Sequence, residues 1–269
     1  MSTSHRIGLI VPSSNTTMET EIPELLRRQQ EHGQDTFTFH SSRMRMQQVS
    51  REELVRMDGD SDRCALELSD ARCDVLAYAC LVAIMSMGSG YHCVSQDRLA
   101  AVTAGNGGAV PVVSSAGALI DALTSMGVRR TAILTPYPKP LTAVVAGYIE
   151  DAGVEVADRI SLEVPDNLAV GRLDPADLMG HARRLDLTGV DALVLSACVQ
   201  MPSLPAVQQV EDELGLPVVT AATATARSIL LSLGITPRVR GAGQLLAGRP
   251  APLAPESSVS GTVIAFSGQ

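Results

Sequence analysis

The chain has 269 residues, 45% of them hydrophobic, a formal net charge of −8, no Trp, four Tyr and three Phe. That is enough apolar material for a substantial core, in one large domain or two of ordinary size. An acidic chain so poor in aromatics argues against a nucleic-acid partner, which needs a basic face and stacking side chains.

No apolar run reaches the roughly 18 residues of a membrane span. The amino terminus offers only Gly8 to Pro12 as an apolar core, too short for a signal peptide. The expectation is a soluble cytoplasmic protein with no membrane partner. Five cysteines, an odd number, predict free thiols rather than a disulfide framework. There is no Cys-x-x-Cys, and His5, His32, His40, His92 and His181 are scattered without metal-ligand spacing, so no metal is expected. Neither G-x-G-x-x-G after a strand nor a G-x-x-x-x-G-K-[ST] loop occurs, and no cofactor is expected.

In chain order, Ile7 to Val11 reads as a strand ending at Pro12-Ser13-Ser14-Asn15. A helix follows, opened either by a Thr16–Glu19 capping box or at Pro23. Asn15, in the loop between them, can cap that helix or donate its amide to a bound carboxylate. A second strand, about Thr36 to Ser41, precedes a helix from Ser50 to about Ala71 that Gly59 could break. The run DVLAYACLVA is a buried strand ending in Cys80, followed by an apolar loop, LVAIMSMGSGYH. Val110 to Ser114 is the fourth strand, and Ser115 to Met126 a helix.

The text then repeats in kind. RTAILTPYPK echoes RIGLIVPSSN, DALVLSACVQM echoes DVLAYACLVA, and LPVVTAATATARSIL echoes VPVVSSAGALIDAL. The fold class read from this is α/β: two similar domains related by a pseudo-twofold, each a mostly parallel sheet flanked by helices. Residues 1–115 with 221–235 would form the first, 116–220 the second, and 236–269 a flexible tail. Ligands of open parallel sheets bind beyond the strands' carboxyl ends. Cys80 and Cys198 therefore fall at equivalent points on either side of an inter-domain cleft, the expected active site. Tyr137, between two prolines, is a rigidly held hydroxyl or a packing residue, and Asn167 a turn residue or a second amide on the cleft side. Cys64, Cys73 and Cys93 read as packing or bystander thiols.

GLIVPSSNTTMETEIP, DVLAYACLVA and DALVLSACVQMPSL together resemble maleate cis-trans isomerase, a cofactor-free branch of the aspartate/glutamate racemase superfamily. The likeness runs from about residue 5 to 233. Amino-acid racemases of the superfamily carry Asp-Ser after the first strand and Thr-His after the second cysteine, where this chain has Pro12-Ser13-Ser14-Asn15 and Val199-Gln200. Arylmalonate decarboxylases keep only the second cysteine. The resemblance implies a dicarboxylate substrate, maleate, with Cys80 as nucleophile and Cys198 as proton donor and acceptor. It implies that Asn15, Tyr137 and Asn167 hold the carboxylates, with the loop backbone at Leu81, Val82, Val199 and Gln200. A homo-oligomer is compatible with the sequence.

Rotation about a carbon–carbon double bond is closed until a nucleophile adds to it, and thiolate both adds to an activated alkene and leaves again. A free thiol, pKa about 8.5, is only a few per cent ionised at neutral pH. The site is therefore expected to favour the thiolate through loop amides and a helix N-terminus. The rival readings are a racemase or decarboxylase of a small carboxylate on the same two-cysteine scaffold, and a hinged carboxylate-binding protein.

Overall fold

The computed structural model of the chain describes residues 3–47 and 50–248. The first half runs β1 (Ser4–Pro12), α1 (Met18–Gln30), β2 (Thr36–Met44), α2 (Arg51–Asp70), β3 (Val75–Tyr78), α3 (Leu81–Ser86), α4 (Tyr91–Gly105), β4 (Val112–Ser114) and α5 (Ser115–Ser125). The second runs β5 (Arg130–Thr135), α6 (Lys139–Asp151), β6 (Glu155–Ser161), α7 (Asn167–Val170), α8 (Leu178–Ala182), β7 (Ala192–Ser196), α9 (Leu204–Leu214), β8 (Val218–Thr220) and α10 (Ala221–Ser232).

The strands form two four-stranded sheets of the same topology, β2-β1-β3-β4 and β6-β5-β7-β8, with every pairing parallel. Strands covered on both faces must be apolar throughout, and all residues of β3 and β7 are buried. Close packing behind β1 requires glycine: a Cβ on Gly8 would lie 2.5 Å from Leu76 Cδ2 and 3.2 Å from the Cys73 sulfur. In each sheet the chain order reverses between the first and third strands, so the loops after β1 and β3, and after β5 and β7, meet at the ligand-binding edge.

Helix α10 packs against α1, α5, β3 and β4 as well as β8, at the seam of the two sheets. On that packing we propose the division expected from the sequence, with 221–235 completing the first domain. No helix of the described residues is long and apolar enough to cross a membrane.

Four expectations are corrected. The Thr16–Glu19 capping box does not open α1. Asn15 Oδ1 accepts the N–H groups of Thr17 and Met18, both at 3.0 Å, and Pro23 lies inside the helix. Gly59 does not break α2, which is continuous from its Ser50 cap. The stretch after Cys80 is a helix rather than a loop, because Leu81 to Met85 are all buried and their backbone groups need internal partners. Residues 236–248, expected in a flexible tail, are packed: Val239, Ala242 and Leu246 are buried, and full burial of a Val or Leu side chain is worth about 1.5–3 kcal/mol. The remainder of that tail, 249–269, lies outside the described residues.

Candidate active site

Cys80 occupies a turn two residues beyond the end of β3. Its backbone is left-handed, φ 101° and ψ 69°, and it forms the N-cap of α3. Such a conformation costs a non-glycine residue on the order of 1–3 kcal/mol and persists where the surroundings over-determine it. Here fully buried Ala79 precedes it and α3 follows, with the Cys80 carbonyl accepting the N–H groups of Ala83 and Ile84 at 3.1 and 3.4 Å. The equivalent turn after β7 is more elaborate. Ser196 Oγ donates to the Cys198 carbonyl at 2.9 Å, and the Gln200 N–H points at the Cys198 sulfur from 3.4 Å.

Both thiols line one cavity, together with Pro12, Asn15, Met46, Val82, Tyr137, Asn167, Val199 and Gln200. The cavity is small, about 300 Å³. Met46 forms the wall beyond β2, tied down by Ser13, whose Oγ accepts the Met46 N–H at 3.0 Å and lies 3.1 Å from its carbonyl.

Of the residues singled out in the sequence, Cys80, Val82, Cys198, Val199, Gln200, Asn15, Tyr137 and Asn167 all reach this cavity. Leu81 is fully buried in the first turn of α3 and is not among the lining residues. The two roles weighed for Asn15 turn out to be compatible. Its Oδ1 is taken up in capping α1, which leaves the amide nitrogen as a donor. Asn167, the first residue of α7, is held by a bond from its Nδ2 to Ser14 Oγ at 2.8 Å. The Gln200 side chain is spent on the backbone: Nε2 donates to the carbonyls of Asn167 and Ser14 at 2.9 and 3.1 Å, and Oε1 accepts the Thr16 and Thr17 N–H groups at 2.9 and 3.3 Å. It joins the loop after β1 to α7, in a slot where a Cβ on Gly171 would come within 2.6 Å of Nε2.

Among the described residues, none of those lining the cavity is Lys, Arg or His. A bound carboxylate would therefore be met by neutral donors, which act strongly in a small, water-poor site. The expectation that the site holds Cys80 as thiolate is not met in this geometry. Burial pushes the Cys80 thiol up to about 12, outweighing the Ala83 N–H that favours the anion, and Cys198 and Asp58 push it the same way. Burial also raises Cys198, against the Tyr137 hydroxyl and the N–H groups of Gln200 and Met201, which hold it down. The Tyr137 hydroxyl is raised well above its usual range, again chiefly by burial.

Sequence reading missed Pro12 and Met46 as lining residues and Glu21 as a support of the Cys198 turn. The signal available for Pro12 and Met46 was topological: each sits at the carboxyl end of a strand in the first sheet. For Glu21 the only hint was an acidic residue on the buried face of α1.

The chain matches the arylmalonate decarboxylase family model over residues 7–246. It is 62% identical over 250 residues to the maleate isomerase of Geobacillus stearothermophilus, covering 93% of this chain and 100% of that one. It is 50% identical over 241 residues to the maleate isomerase of Nocardia farcinica (strain IFM 10152), covering 90% and 95%. Its structure is similar to the crystal structure of a cysteine-to-alanine variant of the Pseudomonas putida S16 maleate isomerase with maleate, with a TM-score of 0.90 and 56% identity over 91% of this chain and 98% of that one. A cysteine-to-serine variant of the Nocardia farcinica enzyme, solved with a covalently bound succinylcysteine intermediate, gives a TM-score of 0.88 at 48% identity over 91% and 99% of the two chains. With 48 to 62% identity to these enzymes over some nine-tenths of its length, and with their fold, the chain belongs to the maleate isomerase family.

Proposed function

We propose that this protein isomerises maleate to fumarate by reversible addition of a cysteine thiol, with Cys80 as the nucleophile and Cys198 as the proton donor and acceptor. The observation that carries the reading is the meeting of two thiols, delivered by equivalent turns of two like sheets, in one cavity whose other polar groups are neutral donors. Kinship with maleate isomerases, one of them solved with a succinylcysteine intermediate, supports the covalent route.

In the proposed sequence the Cys80 sulfur, as thiolate, bonds to one alkene carbon. The displaced electron pair moves into the carboxylate on the other carbon, where amide and hydroxyl donors of Asn15, Asn167 and Tyr137 and loop N–H groups receive the charge. Cys198, a thiol at the start, protonates that carbon and becomes the anion. Its Tyr137 hydroxyl and loop N–H partners are suited to that change, since each favours the charged sulfur. Rotation about the resulting single bond is free. Cys198 then removes the proton, the carbon–sulfur bond breaks, and fumarate leaves with both thiol states restored. Because burial holds Cys80 protonated, the first step carries the cost of ionising it.

Proton NMR of maleate incubated with the reduced protein alone tests the reaction. The maleate signal should give way to that of fumarate, with loss of turnover in Cys80→Ser. Exchange of the α-proton of an amino acid, or decarboxylation of an arylmalonate, with maleate untouched would replace this reading by the racemase or decarboxylase alternative.

A further inference from the structure

A buried carboxylate outside the cavity remains to be accounted for. Glu21, on α1 of the first sheet's layer, is 7% exposed, and it faces the segment that follows Cys198 in the other half. Its Oε1 accepts the N–H groups of Ser203 and Leu204, both at 2.6 Å, and its Oε2 accepts the Ser203 hydroxyl at 3.2 Å. Ser203 is the N-cap of α9 but makes no cap bond with its own side chain. Glu21 supplies the missing acceptor from across the cleft, where a carboxylate also complements the helix dipole. Burial raises its pKa, and the N–H bonds from Leu204 and Ser203 act against that.

One turn earlier on the same face of α1, Thr17 Oγ1 donates to the Gln200 carbonyl at 2.7 Å. Ser196 holds the near end of the turn, at the Cys198 carbonyl. The turn is thus fixed at Cys198, Gln200, Ser203 and Leu204. The sulfur lies within it, faced by the Gln200 N–H at 3.4 Å, while the Met201 N–H bonds to the Cys198 carbonyl at 3.3 Å, and both N–H groups favour the thiolate.

We propose that Glu21 is the positioning residue of Cys198: with Thr17 it clamps the 198–204 turn from the opposite domain, so that the Gln200 N–H stays aimed at the sulfur in both of its protonation states. The inference rests on the assignment of proton transfer to Cys198. It makes closure of the two halves and competence of the proton-transferring thiol one event, since the clamp comes from α1 and the thiol from β7.

The test uses Glu21→Ala, Glu21→Gln and Thr17→Val. Each is made in the parent for steady-state kinetics with maleate, and in Cys80→Ser for iodoacetamide alkylation of Cys198 followed by peptide mass spectrometry across pH. Glu21→Ala and Thr17→Val should move the Cys198 titration upward and lower kcat on the order of tenfold, with KM within about twofold. Glu21→Gln, whose amide oxygen still accepts both N–H groups, should keep both readouts within about threefold of the parent. A Cys198 titration that stays put in folded Glu21→Ala would overturn the proposal whatever the activity. If Glu21→Ala does not fold, an unmoved titration in Thr17→Val overturns it equally. A parent that does not turn over maleate, with the thiol shift intact, would count against the reaction and still support the clamp.

Discussion

The Tyr137 hydroxyl and the Cys198 sulfur line the same small cavity, where the hydroxyl favours the charged sulfur while burial opposes it. In the proposed mechanism a phenol so placed would stabilise Cys198 as the anion. Tyr137→Phe removes that donor without changing the ring packing, so the Cys198 thiol should titrate higher and become a weaker acceptor of the substrate proton. We expect kcat to fall by roughly 10- to 100-fold, within the range for loss of one charge-stabilising donor. Steady-state kinetics together with Cys198 alkylation against pH check it. An unchanged titration would separate Tyr137 from the sulfur.

Cys80→Ser should retain the fold and bind maleate but form no adduct, because a serine hydroxyl is a far weaker nucleophile at neutral pH. Turnover near the parent rate would remove Cys80 from its assigned role.

The raised thiols carry a stability consequence. In the unfolded chain they ionise near the free-thiol value of about 8.5, whereas folded Cys80 holds its proton to about 12. Between those limits the native state binds more protons than the unfolded state, so stability present below about pH 8.5 is lost as pH rises through the window. Melting temperatures should fall from about pH 8.5 upward in the parent and less steeply in Cys80→Ser. Parallel curves would show that the thiol is not held protonated.

A second pH effect, of opposite sign, is expected on the acid side. His92 of α4 lies 2.6 Å from the Tyr148 hydroxyl of α6, joining the two halves, and burial lowers its pKa from 6.5 although Asp121 opposes the shift. Below that ordinary value the unfolded state takes up the proton first, so stability contributed at neutral pH is lost as pH falls. His92→Phe should flatten the dependence between about pH 6.5 and 5 in thermal melts.

Gln200→Leu tests the cross-cleft strut apart from chemistry. It would leave the Ser14 and Asn167 carbonyls and the Thr16 N–H without their present partner, at roughly 1–3 kcal/mol for each that stays buried. Denaturant unfolding should report a loss of about 2–4 kcal/mol.

How much of this was legible in the sequence depended on the range of the interaction that decides each feature. DVLAYAC and DALVLSAC announced β3 and β7 because continuous apolar runs before a turn have few other readings, and their duplication announced the two sheets. The helical state of α3 was not legible: with Leu81 to Met85 buried all round, no period separates a helix from a buried loop. Val239 and the Leu245-Leu246 pair are short apolar stretches among Gly, Pro and Arg, and only the surface they dock on gives them a place. The part played by Glu21 was not legible because its partners lie 182 and 183 positions away. Asn15 had two readings in the sequence, and its bonds accommodate both, since the side-chain carbonyl caps α1 and the amide nitrogen is left as a donor.

The central claim is that the Cys80 sulfur becomes bonded to substrate and that Cys198 moves the proton that releases it. The most direct measurement is an intact mass of reduced Cys198→Ser protein after incubation with maleate, with the modified residue mapped by peptide fragmentation. The account predicts an increase equal to one maleic acid, located on Cys80 and slow to discharge. An unmodified protein, or an adduct on another cysteine while Cys80 stays free, would contradict it.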